Sequence, residues 1–292
     1  MSGAEPIFLE TNENNNFMPT AEDIKPYLEE ATLITLCSPL NPTGTVFKKE
    51  DLMEICGLVL GENKRRKALN LGIKPLYVMY DQIYWKLTFG QTEHFDPISI
   101  NPELRDYVIY VDGISKAFAA TGVRVGWSFG PQYVIDKMKS ILGHVGSWAP
   151  KAEQVATAKF LNNKELVDGF LTGFKKSVQD RLEGFHQGFQ SLKEKGYPID
   201  SISPQAAIYL TVKIDLGGKI TPSGQILKTS DTTDYLLNHA GMALVPFYAF
   251  GASTESPWFR LSVGTCKMEE IPVVFKNLEN LLKNLREVFI LE

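Results

Sequence analysis

The stretch LYVMYDQIY, residues 76–84, carries the pattern on which the fold assignment rests. Residues 76–80 are apolar or aromatic on both faces of an extended chain, which is typical of a strand in a sheet that helices cover on both sides. Polar groups follow at once, with Asp81 directly after the run and Tyr84 three residues later. A buried strand that ends in a carboxylate and a phenol therefore marks the first candidate site.

Two similar runs lie on either side of this stretch. LITLC at 33–37 leads into SPLNPTG at 38–44, and YVIYV at 107–111 leads into DGISK at 112–116. Between the first two runs, residues 49–67 have the spacing of an amphipathic helix. The order strand, helix, strand, loop, strand predicts an α/β layer with mostly parallel strands.

The second half of the chain has a different pattern of apolar residues. Apolar residues recur at steps of three and four from 164 to 195, which predicts one helix about 48 Å long at about 1.5 Å per residue. The elements expected after it are strands at 207–212, 242–246 and 258–263, and helices at 232–240 and 271–288. We therefore expect a large domain over 1–180 and a small α+β C-terminal domain over 181–292, joined by the long helix.

Composition narrows the function classes. The 292 residues include 30 basic and 34 acidic side chains, a net charge of −4, which argues against a nucleic-acid-binding surface. No apolar run approaches the roughly 20 residues of a membrane helix, and the first residues lack a signal-peptide pattern. The three cysteines and four histidines have no spacing typical of metal ligands, so no metal is expected. We expect a cytoplasmic protein.

The three strand ends supply an unusual set of side chains. They deliver Asn41, Asp81 with Tyr84, and Lys116 with Arg124 eight residues later. Ligands of α/β sheets bind outside the carboxyl ends of the strands, so we expect these groups at one edge. Each alone has an ordinary explanation as a turn, a loop cap or a surface charge. Their joint placement favours a binding site, because a lysine, an arginine and a buried carboxylate are costly to bring together without use.

Pyridoxal phosphate is a cofactor that needs such a set. A lysine amine holds it as a Schiff base, a carboxylate faces its ring nitrogen, and a cation binds its phosphate. Lys116 would be that amine and would later move the proton from the substrate Cα, while Asp81 would keep the ring nitrogen protonated. Tyr84 and Asn41 would hydrogen-bond the ring oxygen, and Arg124 would hold the phosphate.

The combination resembles the class I/II aminotransferases, the aspartate-aminotransferase-like group of fold type I pyridoxal-phosphate enzymes. The matching motifs follow the family's order along the chain: NPTG at 41–44, Asp81-x-x-Tyr84, Ser115-Lys116 with Arg124 at plus eight, and Arg260 within FRLS at 259–262. The resemblance implies an α/β large domain, with helices on both faces of a mostly parallel sheet, and a small α+β domain. It also implies that Arg260 receives the substrate α-carboxylate and that Asn41 contacts the substrate.

The resemblance further implies an activity and partners. The expected reaction moves an amino group from an amino acid, aspartate or a similar one, to a 2-oxo acid such as 2-oxoglutarate. Residues 143–148, GHVGSW, match the place where the family reaches toward a neighbouring subunit, which implies a homodimer. An ordinary connection between helices is the alternative interpretation of that segment.

Two departures from the family pattern affect these expectations. The family places a phosphate-binding hydroxyl three residues before the lysine, where this chain has Gly113, and Ser115 is the nearest substitute. The family's N-terminal quarter, with its glycine-rich phosphate turn and the aromatic residue stacked on the ring, has no counterpart in the sequence. We therefore expect an N-terminally incomplete large domain that builds only part of the active site, so that the isolated chain is inactive.

Two other classes of function stay open from the sequence. A lyase or decarboxylase of the same fold would keep Lys116, Asp81 and Arg260 and differ only in how the reaction ends. A non-catalytic fragment or binding module would keep the fold without turnover. Release of ammonia, thiol or CO₂ without a keto-acid acceptor would separate the lyase from the aminotransferase.

Overall fold

The computed structural model describes residues 3–69, 72–222 and 224–286. The chain divides into two units whose boundary falls inside a long helix, between Lys175 and Lys176. The N-terminal unit comprises Thr11–Asn41 and Thr45–Lys175, and the C-terminal unit comprises Met1–Glu10, Pro42–Gly44 and Lys176–Glu292. The assignment of residues 1–180 and 181–292 as two functional domains stays a prediction.

Helices and strands alternate in the N-terminal unit up to residue 113, as the sequence predicts, and the described residues of the two units together form the following elements. The helices are α1 (Ala21–Ile24), α2 (Lys49–Leu69), α3 (Pro97–Ile100), α4 (Gln132–Val145), α5 (Lys151–Leu161), α6 (Lys164–Glu194), α7 (Thr229–Ala240) and α8 (Glu270–Lys283). The strands are β1 (Leu33–Cys37), β2 (Tyr77–Asp81), β3 (Val108–Gly113), β4 (Gly126–Phe129), β5 (Ile199–Ser201), β6 (Tyr209–Ile214), β7 (Ile220–Thr221), β8 (Gly224–Gln225), β9 (Val245–Pro246) and β10 (Trp258–Ser262).

The sheet of the N-terminal unit has the order β1-β2-β3-β4. The first three strands are parallel and β4 runs antiparallel to β3, which confirms the mostly parallel sheet. The register places Cys37 opposite Asp81, and Asp81 opposite Val111. The carboxyl ends of β1 and β2 are therefore level, β3 continues to Gly113, and the chain leaves all three strands at one edge of the sheet.

One face of this sheet is buried more completely than the other. The buried face consists of two rows of side chains in register, Ile34-Val78-Val108 and Leu36-Tyr80-Tyr110, none of them more than 9% exposed. On the opposite face of β1, Leu33 is 49% exposed. The sequence predicts burial on both faces, because its apolar runs do not alternate. An apolar side chain is often found exposed, so the run alone does not identify the covered face.

The predicted helices are confirmed within a few residues. Residues 164–195 were predicted and α6 spans Lys164–Glu194, while residues 49–67 were predicted and α2 spans Lys49–Leu69. The side chain of Asn63 in α2 donates to the Leu76 carbonyl at 2.9 Å and accepts from the Leu76 amide at 2.8 Å. This pair of hydrogen bonds joins the helix to the residue before β2 and so helps to fix the register of the sheet.

The C-terminal unit contains the predicted smaller α+β arrangement. Its main sheet is antiparallel with the order β5-β6-β10-β9. Phe189 of α6 and Phe275 of α8 pack edge to face with ring centroids 5.0 Å apart. The stripe predicted for the last helix extended to Val288, which lies outside the described residues. Among the helices of the described residues, none combines the length and apolar character needed to cross a bilayer.

Candidate active site

Asp81 is the last residue of β2, and its side chain is held by the loop that follows. Oδ1 accepts a hydrogen bond from the Ile83 amide at 3.0 Å, while the Asp81 carbonyl accepts from the Ser38 amide at 3.0 Å. The carboxylate is half-buried. Burial, and next the negative charge of Asp81, raises the pKa of the neighbouring Cys37 thiol to about 12. Asp81 is therefore an oriented carboxylate at the end of the central strand, beside a thiol that stays neutral.

Lys116 lies in the loop after β3 and is anchored on both sides. Ile114 is 5% exposed and Ala117 is 2% exposed, and the Ala119 amide donates to the Lys116 carbonyl at 3.1 Å. The Lys116 side chain itself is half-buried. Among the described residues of the N-terminal unit, its amine has neither a hydrogen bond nor an ion pair. The backbone is thus fixed while the amine stays available to a ligand.

Arg124 is exposed and lies two residues before β4. Its backbone has φ 60°, in the left-handed region, and its Nη1 donates to the Thr121 carbonyl at 3.0 Å. A guanidinium has five N–H donors, so this contact leaves most of them for another acceptor. Such a group is suited to a phosphate, as the sequence predicts.

Gly113 stands where the family pattern has a phosphate-binding hydroxyl, and the backbone around it is closely packed. A Cβ at this position would lie 3.0 Å from both Gly126 Cα and the Val125 carbonyl oxygen. The backbones at the ends of β3 and β4 therefore approach too closely for a side chain without a shift. Ser115, the nearest hydroxyl to Lys116 in the loop, is half-exposed.

Tyr84 and Asn41 occupy contrasting positions. Tyr84 is 2% exposed and its carbonyl accepts from the Leu87 amide at 2.8 Å, so the residue is buried and its backbone is held in a turn. Asn41 is exposed in a turn after β1 that is closed by a hydrogen bond of 2.8 Å from the Leu40 amide to the Thr45 carbonyl. Both residues follow strands whose ends share the edge with Asp81.

Arg260 lies on β10 in the C-terminal unit, where it is half-buried. Its guanidinium carbon is 4.7 Å from the centroid of the Tyr209 ring and 4.9 Å from that of Phe250. Two aromatic faces hold the planar group by cation–π contact and restrict its rotation. A guanidinium held in this way is well placed to bind a carboxylate bidentately.

Sequence reasoning missed one pair of residues at the strand edge, Asp112 and Trp85. Asp112 is 7% exposed, and its Oδ2 accepts a hydrogen bond from Trp85 Nε1 at 2.8 Å. Its Oδ1 accepts from the Gly113 amide at 2.7 Å. The available signal was an aspartate directly after a buried run, the same pattern that identified Asp81. The partner could not be read from the sequence, because 27 residues separate the two.

Comparisons with known proteins indicate the family of the chain. The family model described as "Aminotransferase class I and II" matches residues 1–278. The aspartate aminotransferase of Bacillus sp. (strain YM-2) is 27% identical, covering 91% of this chain and 62% of its own length. The probable aspartate/prephenate aminotransferase of Rickettsia typhi is 30% identical, covering 92% and 63%.

The fold comparison gives the same result. The crystal structure of the aspartate aminotransferase from Rhizobium meliloti superposes with a TM-score of 0.84 at 26% identity, covering 97% of this chain and 66% of that one. The predicted fold type I architecture is confirmed. This chain spans about three fifths of the length of the curated relatives it matches, 62% and 63% in the two cases above.

Proposed function

The chain belongs to the class I and II aminotransferase family, and on that basis we propose that it is a pyridoxal-phosphate-dependent aminotransferase. The proposed reaction moves an amino group from an amino acid, aspartate or a related one, to a 2-oxo acid such as 2-oxoglutarate. The observation that carries the proposal is the level register of the three parallel strands, Cys37 opposite Asp81 opposite Val111. That register brings Asp81 and the loops containing Asn41 and Lys116 to one edge, where such folds bind ligands.

The donor set fits the cofactor. An amine at Lys116, a carboxylate at Asp81 and a guanidinium at Arg124 match an aldehyde, a protonated ring nitrogen and a phosphate. When bound, pyridoxal phosphate supplies an electron-withdrawing ring that stabilises negative charge on the substrate Cα.

The residues of this chain would divide the remaining tasks. Lys116 would hold the cofactor covalently and, once released by the substrate, move the proton at the substrate Cα. Asp81, oriented by the Ile83 amide, would pair with the protonated ring nitrogen and keep the proton there. Tyr84 and Asn41 would donate hydrogen bonds to the ring oxygen, with Asn41 also contacting the substrate.

The two arginines would bind the two anionic groups. Arg124 would hold the cofactor phosphate with the N–H groups that the Thr121 carbonyl leaves available. Arg260, held between Tyr209 and Phe250, would receive the substrate α-carboxylate. Because its rotation is already restricted, little side-chain entropy would be lost when the carboxylate binds.

Absorbance tests the assignment of the lysine. The chain mixed with pyridoxal phosphate should show the band of the lysine-held cofactor, and Lys116→Ala should lose it. The matched control is Lys159→Ala, an exposed lysine of α5, which should keep the band. A band that persists in Lys116→Ala would show that the assigned lysine is wrong. A panel of amino donors with 2-oxoglutarate, analysed for keto acid, ammonia and CO₂, then separates an aminotransferase from a lyase or decarboxylase.

We further propose a homodimer that uses the end of α4 and the segment 143–148. Ile141, Val145 and Trp148 are 61%, 66% and 56% exposed, and large exposed apolar groups that are close in the chain are typical of an interaction surface. Sedimentation should show that Trp148→Glu shifts the chain toward monomer. Leu237→Glu, which alters an apolar residue 49% exposed in α7, should leave the distribution unchanged. Equal behaviour of the two variants would reject this interface.

We also propose that the protein works in the cytoplasm. Cys37, Cys56 and Cys266 are all free thiols, which suits a reducing compartment. Fractionation of cells that produce the protein tests this location. Recovery outside the cytoplasmic fraction would reject it.

A further inference from the structure

The side chain of Asp112, in β3, joins the end of that strand to the loop after β2. Oδ2 accepts from the indole Nε1 of Trp85, in the loop after β2, at 2.8 Å. Oδ1 accepts at 2.7 Å from the amide of Gly113, the next residue and the last of β3. One buried group therefore connects the end of β3 to the loop after β2.

The donors of this link are themselves fixed. The Trp85 amide donates to the Gln82 carbonyl at 2.9 Å, and the Gln82 amide donates to the Val111 carbonyl at 3.0 Å. Lys86 Nζ lies 3.9 Å from the centroid of the Trp85 ring, and the His94 ring lies at 6.2 Å. Contacts around the ring and along the backbone thus hold the indole N–H in one direction, toward Asp112.

Keeping a carboxylate at this place has an energetic cost. Asp112 is 7% exposed, and burial raises its pKa, with a smaller contribution from the charge of Asp81. The hydrogen bonds from Gly113, Trp85 and Gln82 lower the pKa and offset part of that effect. A buried carboxylate is retained where its hydrogen bonds are needed, since an apolar residue of similar size would cost less.

We propose that Asp112 is a positioning residue, which through Trp85 fixes the end of β3, where the loop carrying Lys116 begins, against the loop that follows Asp81. Lys116 is three residues beyond Gly113, and Asp81 is four residues before Trp85. Asp112 acts by holding the two backbones at one spacing. The functional meaning of that spacing rests on the proposed function, whereas the link itself is independent of it.

Lys116 reactivity tests the link without cofactor. The rate of acetylation of each lysine by acetic anhydride, followed by mass spectrometry, would be measured in the unaltered chain, Asp112→Asn, Trp85→Phe and the double variant. Asp112→Asn replaces one carboxylate oxygen with an NH₂ group, so the side chain can no longer accept from both Trp85 and Gly113. Trp85→Phe removes the indole donor and keeps an aromatic ring. The exposed Asp106→Asn in the same unit is the matched control.

We expect Lys116 to react about fivefold faster in both single variants, the change that corresponds to loss of one hydrogen bond of ~1 kcal/mol. The double variant should equal Asp112→Asn alone, because both substitutions break the same link. The control and the other lysines should be unchanged. Should Asp112→Asn fail to fold by circular dichroism, Trp85→Phe alone decides.

The outcomes are separable from those of the proposed function. Lys116 reactivity that stays at the starting rate in Trp85→Phe overturns the positioning role, as do additive effects in the double variant. Equilibrium dialysis with pyridoxal phosphate is run on the same samples. If no sample binds it, the proposed function fails while the reactivity data still decide the link. If the unaltered chain binds it, we expect about fivefold weaker binding in both single variants, by the same loss of one hydrogen bond.

Discussion

Charged groups in the N-terminal unit occur in two very different settings. In α2, Arg66 and Glu62 have side chains 3% and 5% exposed, joined by a hydrogen bond of 2.6 Å. Arg66 also donates to the carbonyls of Lys74 at 2.7 Å and Leu28 at 2.6 Å. At the strand edge, by contrast, the Lys116 amine has no hydrogen bond or ion pair among the described residues of that unit. Saturated charges hold the scaffold together, while unsaturated ones at a sheet edge remain able to bind a ligand.

The largest expected effect tests the scaffold side of this comparison. Arg66→Ala should lower the free energy of unfolding by about 3–5 kcal/mol, because it breaks a buried ion pair and leaves buried carbonyls without a donor. Urea denaturation measures the change. Arg65→Ala is the matched control, since Arg65 bonds the same Glu62 at 2.8 Å but is 36% exposed. That variant should lose much less stability, because solvent screens the ion pair of an exposed arginine. Equal losses would show that burial does not separate the two arginines.

The contrast between the two settings also marks how far sequence reasoning reaches. Residues 33–37 were predicted as a strand and β1 spans Leu33–Cys37, because five apolar and β-branched residues bounded by turn signals leave few alternatives. The sequence predicts Asp81 and Lys116 at one edge because parallel strands share an edge, and their roles stay predictions. These predictions need only local pattern and topology.

Other features depend on side-chain directions that a sequence does not contain. The Arg66 network joins residues 38 positions apart, and the Trp85–Asp112 bond joins residues 27 apart. In the sequence, Arg66 is one of several charges near the end of a predicted helix. Its burial depends on the fold, which brings the backbone carbonyl of Leu28 within hydrogen-bond distance of the guanidinium. The substrate contact assigned to Arg260 and the phosphate contact assigned to Arg124 stay predictions.

His94 belongs to neither setting, since its side chain is half-buried while both of its ring nitrogens are enclosed and unsatisfied among the described residues. Neither ring nitrogen has a hydrogen-bond partner among the described residues, and the ring packs 6.0 Å from the Tyr80 ring. Burial lowers the pKa of His94 from 6.5 to about 4. The unfolded chain therefore binds a proton between these two values that the folded chain does not. Stability from the neutral ring is complete above about pH 6.5 and is lost as the pH falls toward 4.

Because of this lowered pKa of His94, we expect the free energy of unfolding to be about 2 kcal/mol smaller at pH 5 than at pH 7. His94→Phe should remove that part of the pH dependence, because phenylalanine keeps the ring contacts and has nothing to protonate. Urea denaturation at the two pH values measures it. The matched control is His144→Phe at an exposed position, which should keep the original difference. If His94→Phe has the same pH dependence as the unaltered chain, His94 is not a buried neutral ring.

A stability effect of similar size tests the edge side of the comparison, at Gly113. Gly113→Ser restores the hydroxyl that the family pattern places there, yet its Cβ would lie 3.0 Å from Gly126 Cα and the Val125 carbonyl oxygen. We expect a loss of about 1–3 kcal/mol in the free energy of unfolding, the usual cost of overpacking, and no tighter binding of pyridoxal phosphate. Gly57→Ser in α2, where a Cβ meets nothing within 4 Å, should change stability by about 0.5 kcal/mol or less. Tighter cofactor binding at unchanged stability would mean that the strands can separate to admit the hydroxyl, and that close approach is not why glycine is present.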